Sequence, residues 1–243
     1  MDLGITGRRA AVAAASRGLG LASAVALAAE GAQVAICGRD RGAVEAAAST
    51  HDLVPLVADM STPDGARGFV QATREALGGI DILVPNAGGP LPGRFADVSD
   101  LEEYTRAFQL NCLSTIAMCA EAIPAMQAQQ WGRVVAITSI AVRQPMPHLI
   151  LSNTARAGVT GFLKTLAREV APDGITVNSL QPGLHDTERL RALGGADASG
   201  IPSGTLGQPA DFGAIVAFVC SEQARSLTGV AIPVDGGAYA GLQ

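Results

Sequence analysis

Short, mostly apolar runs alternate with helix-period stretches along nearly the whole chain. Arg8–Ala14, Gln33–Cys37, Leu53–Ala58, Ile80–Pro85, Arg133–Thr138, Ile175–Leu180 and Val230–Val234 are too short for helices and rich in Val, Ile, Leu and Ala, which predicts strands. Between them, Leu21–Glu30, Asp40–Ser49, Thr62–Leu77, Leu101–Gln127, Leu149–Val170 and Asp211–Cys220 predict helices. Ser61 or Thr62 caps the third, ahead of Pro63, and Pro124 lies near the end of the long fourth. Strands that alternate with helices imply βαβ units, parallel pairing and right-handed crossovers. Apolar strands fit a sheet covered on both faces, so the expected fold class is α/β, a doubly wound parallel sheet.

Ligands of such sheets bind beyond the carboxyl ends of the strands. Ala13-Ala14-Ala15-Ser16-Arg17-Gly18-Leu19-Gly20, Gly38-Arg39, Asp59, Asn86 to Gly89, Ser139 and Gln181 to Gly183 therefore fall along one rim. The first of these is a glycine turn between a strand and a helix. Glycines let the backbone pass close to a pyrophosphate, whose charge the free N–H groups of the helix start attract. An ordinary strand–helix turn would read the same way, so the motif needs its context.

Composition narrows the classes. The 243 residues suit one α/β domain, 1–243, and 48% hydrophobic residues are enough for a large core. A net charge of −5 with no basic block excludes a nucleic-acid role. No apolar run is long enough for a membrane span, and MDLGITGRRA lacks the apolar core of a signal peptide. Cys37, Cys112, Cys119 and Cys220 form no Cys-x-x-Cys pair and are expected to be reduced, buried thiols, which points to the cytoplasm. His51, His148 and His185 make no metal-ligand spacing, so no metal is expected.

SRGLG after the first strand, NAGG after the fourth, Asn111 in the long helix, Ser139 after the fifth and PGLHDT after the sixth stand in a telling order. With GQPADFG and LTGVAIPVDGG near the C-terminus, they make the chain resemble the short-chain dehydrogenase/reductase family, close to its 3-oxoacyl-(acyl-carrier-protein) reductases. The resemblance spans nearly the whole sequence. It implies a Rossmann-type seven-stranded parallel sheet and a homodimer or homotetramer packed through the two long helices and the last strand. It also implies cofactor contacts at Ser16, Arg17, Gly18, Leu19, Gly20, Arg39, Asp59, Met60, Asn86, Ala87, Gly88, Pro182, Gly183 and Thr187. Among these, Asp59 would hold the adenine, Asn86 the adenosine-side wall, and Pro182 and Gly183 the nicotinamide.

The chain departs from the family in two places. The usual TGxxxGxG turn has Ala13 and Ala14 in place of its Thr and first Gly. Ala14 weakens the turn only if its φ is positive. The catalytic Asn, Ser, Tyr and Lys are half kept: Asn111 and Ser139 match, but Ser152 and Arg156 stand at the Tyr and Lys positions. A serine is a far weaker acid than a tyrosine, whose pKa is about 10. Arg156, one helical turn from Ser152, offers a planar fork rather than an ammonium. Losing a positioned acid costs roughly 100- to 10,000-fold in rate. His148, four residues before Ser152, and His185, after Pro182-Gly183, are candidate replacement donors because histidine titrates near neutrality. Both are equally readable as surface residues.

No acid ends the second strand, and Arg17 with Arg39 can clamp a 2′-phosphate, so NADP(H) is expected ahead of NAD(H). Asp40 reads as a helix cap. Leu184 to Gly207 reads as a substrate lid, with Gly-Gly and Ser-Gly steps. Leu190, Leu193, Ile201, Val142, Met146 and Leu149 suggest an apolar or acyl-like carbonyl substrate, and Arg94, Arg143 and Arg189 are candidates for an anionic one. The leading expectation is an NADP(H)-dependent reductase with an atypical proton donor. The alternatives are a nucleotide-binding sensor or partner subunit that has lost catalysis, and a redox-neutral lyase or isomerase using the same pocket.

Overall fold

The computed structural model describes residues 2–242 except 193 and 196; Leu193, grouped above with the apolar pocket, lies outside the described residues. Seven strands form one all-parallel sheet: β1 (Arg9–Val12), β2 (Gln33–Gly38), β3 (Val54–Val57), β4 (Ile82–Val84), β5 (Gly132–Ile137), β6 (Ile175–Pro182) and β7 (Ala231–Val234). Their order is β3-β2-β1-β4-β5-β6-β7. The chain winds outward through β1, β2 and β3, then returns to lay β4 against β1 in register, Ala11 opposite Leu83. Strand order reverses there, and the crevice of a doubly wound sheet opens at such a point.

The helices are α1 (Gly18–Ala29), α2 (Arg41–His51), α3 (Pro63–Leu77), α4 (Leu101–Phe108), α5 (Ser114–Ala128), α6 (Ile150–Val170), α7 (Glu188–Ala192) and α8 (Pro209–Val219). Side chains alternate across the sheet with period two, and β1 shows it. Ala11 joins a core with Phe69 of α3, Met118 of α5 and Val159 of α6. Ala10 and Val12 join the opposite core with Leu27 of α1, Val44 of α2 and Phe212 of α8. Small residues let the second layer close tightly. A Cβ on Gly213 of α8 would stand 2.3 Å from the Ala22 carbonyl oxygen of α1.

Local chemistry sets the helix ends. Asp40 accepts from the Ala43 N–H, and Thr62 accepts from the Gly65 N–H with Pro63 in the first turn. Three details differ from the periodicity. The helix expected over Leu101–Gln127 is broken by a π turn at Gln109–Leu113. Helix α6 starts at Ile150, after His148 turns the chain at φ +62°. The glycine-rich stretch 184–207 contains α7 and a 3₁₀ turn at Ala198–Gly200.

Candidate active site

At the carboxyl ends of β1 and β4, the Asn86 side chain donates to the carbonyls of Ala13 and Ala14, both at 3.2 Å, tying the two strands across the crevice. Ala14 has φ +47°, in the left-handed region that favours glycine. Its N–H donates to Cys37 Sγ at 3.3 Å. Burial pushes the Cys37 thiol up to about 12, so it stays neutral. Gly20 has no room for a side chain: a Cβ would lie 2.7 Å from the Ala14 oxygen and 2.8 Å from Asn86 Nδ2. Arg17, with extended backbone, precedes α1 and makes no side-chain cap, so the helix start keeps its N–H groups for a ligand. These features fit a dinucleotide pyrophosphate.

Around this turn, Arg39 is exposed, and Arg17 is 75% exposed with Nη1 3.5 Å from Glu188 Oε2. Ser16 lines the end of β2, 3.3 Å from where a Gly38 side chain would begin. Asp59 turns back to accept from the Ser61 N–H, and Met60 is buried in the core. Leu19 packs onto the α1 face of the sheet, and Ala87 onto the other. Gly183 N–H bonds the Val234 carbonyl, and Pro182 ends β6. Thr187 reaches over from the glycine-rich stretch, its Oγ1 accepting from Leu190 N–H and its methyl 3.9 Å from a Cβ built on Gly18.

The second half of the site lies at the end of β5. Ser139 caps a 3₁₀ turn at Ile140–Val142, its Oγ accepting from the Ala141 N–H at 3.1 Å. Helix α6 brings Arg156 directly behind it. Arg156 Nη1 donates to the carbonyls of Ile137 and Thr138, at 3.2 and 3.1 Å, and Nε donates to Ser152 Oγ at 3.2 Å. Arg156 is only 9% exposed. Burial, followed by the charge of Arg189, pushes its pKa down to about 10, which leaves it cationic at neutral pH. Asn111 sits on the π turn, a device common at functional sites. Its Nδ2 donates to the Gly88 carbonyl at 2.8 Å, while its buried Oδ1 has no partner among the described residues.

The two histidines have partners of their own. His148 is exposed, one residue short of the α6 cap, and its Nδ1 accepts from Arg94 Nε at 3.1 Å. His185 is 5% exposed, packed edge-on against Phe212 of α8 with its Nδ1 3.3 Å from the Gly183 carbonyl oxygen. Burial dominates its surroundings and holds its pKa below the usual histidine value, against smaller opposing effects of Gly183 and Asp211. Arg143 is tied to Gln181 Oε1 and the Ala231 carbonyl, at 2.7 and 2.6 Å, where it braces β6 and β7. Arg189 reaches from α7 to the Gly89 carbonyl at 3.4 Å, so the glycine-rich stretch spans the crevice. Glu188, opposite Arg17, is a contact that sequence reasoning missed, since nothing local signals where α7 lands.

The family described as Enoyl-(Acyl carrier protein) reductase matches residues 13–239. The chain is 33% identical over 239 residues to the 3-oxoacyl-(acyl-carrier-protein) reductase FabG of Escherichia coli K12, covering 96% of this chain and 98% of that protein. It is 30% identical over 234 residues to the 3-oxoacyl-(acyl-carrier-protein) reductase MabA of Mycobacterium tuberculosis H37Rv, covering 95% and 92%. Among solved structures, L-sorbose reductase of Gluconobacter frateurii, complexed with NADPH and L-sorbose, superposes with a TM-score of 0.90 at 30% identity over the whole of both chains. YwfH, an NADPH-dependent reductase involved in bacilysin biosynthesis, superposes at 0.91 and 27% identity, covering 98% and 100%. The parallel sheet with its reversal at β1 and β4, the glycine turn and this relatedness together establish that the chain belongs to the short-chain dehydrogenase/reductase family of oxidoreductases.

Proposed function

We propose that the protein is an NADP(H)-dependent carbonyl reductase of a subgroup in which the family's Tyr and Lys are replaced by Ser152 and Arg156. One observation carries this reading: a buried, cationic Arg156 hydrogen-bonded to Ser152 and to the two carbonyls that precede Ser139. On this reading, that positive charge stabilises the negative charge that develops on a reduced carbonyl oxygen. Preorganised electrostatics of this kind is commonly the largest single contribution to catalysis.

The uncapped start of α1, with Gly18 and Gly20, holds the pyrophosphate, and Arg17 and Arg39 take the 2′-phosphate. Asp59, Asn86 and the Ala87-Gly88 backbone line the nucleoside side; Pro182, Gly183 and Thr187 line the other. When bound, NADPH supplies the hydride. Ser139 Oγ already accepts from Ala141, so its proton is available to the substrate oxygen. Ser152 Oγ likewise accepts from Arg156 Nε, which leaves its own proton free to donate. A serine beside a cation relays a proton from solvent rather than giving up its own permanently, and neither histidine is needed. Asn111 Oδ1 holds a water.

Residues 184–207 act as the lid of a single domain, with Val142, Met146, Leu149, Leu190 and Ile201 facing an apolar or acyl-like carbonyl compound. The chain works as a homodimer or homotetramer, which covers the free edge of β7. No described helix is long and apolar enough to cross a membrane.

Titration of NADPH and NADH against the purified protein is the first test, followed by NADPH oxidation over a panel of ketones. The expected outcome is micromolar NADPH binding, NADH at least about tenfold weaker, and turnover with some ketone. Binding of neither cofactor overturns the reading in favour of redox-neutral chemistry. Tight NADPH binding without turnover favours a nucleotide-binding sensor or partner, the alternative that the missing Tyr and Lys support.

A further inference from the structure

We infer that the carbonyl compound reduced here carries a carboxylate close to the reacting carbon, held between Arg156 and Arg189. The inference rests on the reductase reading above and adds the substrate's charge to it. Every hydrogen-bond partner of Arg156 is neutral: Ser152 Oγ and the carbonyls of Ile137 and Thr138. Among the described residues, no carboxylate lies within 4 Å of either guanidinium, and Nη2 of Arg156 has no hydrogen-bond partner. A buried cation without a counter-ion is costly unless a ligand supplies one.

Arg189 aggravates that cost. It leans from α7 onto the Gly89 carbonyl, next to the Gly88 carbonyl that Asn111 holds, and from there adds like charge to Arg156. The acids beside it are engaged elsewhere, Glu188 with Arg17 at 3.5 Å and Asp186 with Arg191 at 2.9 Å. Two guanidiniums, one rigid and buried and one on a lid helix, suit a planar carboxylate that accepts from both.

The cofactor's phosphates have their own donors at the glycine turn. Arg156 is anchored at the end of β5, two strands from β1, which at the usual strand spacing is about 10 Å away. The anion expected there therefore belongs to the substrate. A lysine would leave a point charge for ribose hydroxyls, whereas an arginine adds a fork that reads carboxylate geometry.

Calorimetric titration separates binding from turnover. Pyruvate, acetoacetate and the ethyl ester of each are titrated into the protein saturated with NADP⁺, which cannot reduce them. At least one acid is expected to bind about tenfold or more tightly than its ester. Arg189→Gln, an exposed substitution, should collapse that ratio to within about twofold. Arg156→Lys, checked for folding by thermal melting, should lower the same ratio while keeping the charge.

Acids that bind no better than their esters overturn the inference, as does a preference unchanged in Arg189→Gln. Acid binding that exists without cofactor and vanishes with NADP⁺ also overturns it, since the arginines then serve the nucleotide. Should NADP⁺ itself fail to bind, the reductase reading falls. The same titrations on the cofactor-free protein still decide whether an anion site exists.

Discussion

Ala14 shows how one methyl group matters. Its φ of +47° places it where an alanine pays a left-handed penalty of roughly 1–2 kcal/mol. Glycine would remove that penalty but add roughly 0.4–1 kcal/mol of chain entropy to the unfolded state. Ala14→Gly is therefore expected to raise stability by roughly 0.5–1 kcal/mol, about 2 °C in Tm, and to tighten NADPH binding; a thermal melt with a cofactor titration checks both. The sequence reads Ser152 and Arg156 as departures from the family pattern and says nothing of their joint geometry. The sequence shows their spacing of four; only the packing of α6 behind β5 shows Arg156 bonded to the carbonyls beside Ser139. If the missing acid limits turnover, Ser152→Tyr with Arg156→Lys should raise kcat by about 100-fold or more on a ketone substrate, measured by NADPH oxidation.

At the scale of elements, helix ends and interruptions separate what periodicity sees from what packing imposes. The apolar pattern of Leu101–Gln127 reads as one helix, yet a π turn at Gln109–Leu113 carries Asn111 toward Gly88. Periodicity cannot register one extra residue in a turn whose flanks stay helical. The contact of α1 with α8 was equally hidden, because it depends on Gly213 facing backbone across the layer. Gly213→Ala should destabilise by roughly 1–3 kcal/mol through overpacking, since its Cβ would stand 2.3 Å from the Ala22 oxygen. The same change at Gly68, exposed on α3 with nothing within 4 Å of a new Cβ, should stabilise by up to about 1 kcal/mol. Urea unfolding of the two variants checks the opposite signs.

Over the whole molecule, two buried groups set the response to acid. His185 is held below its ordinary 6.5, chiefly by burial. The folded state then binds fewer protons than the unfolded chain, so stability is full above about 6.5 and falls as pH drops through the folded pKa. Burial opposes ionisation of Asp81 too, but hydrogen bonds from the Arg9 side chain and backbone prevail and hold it below its ordinary 3.8. Its contribution is present above that value and is lost as pH falls further. Stability should therefore decline in two windows, and His185→Gln should flatten the upper one alone. Melting temperatures between pH 8 and pH 3 check this.

The sequence by itself determined the strand–helix alternation, the parallel doubly wound sheet and the rim on which the glycine turn, Asn86 and Ser139 lie, because these follow from periods of two and 3.6 and from turn chemistry. Only the tertiary structure decided which groups meet: His185 packed on Phe212, His148 joined to Arg94, Glu188 opposite Arg17, Arg189 on the Gly89 carbonyl, and Arg156 buried against the carbonyls of Ile137 and Thr138. The reason is distance along the chain. Burial, like charge and missing counter-ions belong to pairs of residues far apart in sequence, and no local pattern encodes how α6, α7 and β5 come together.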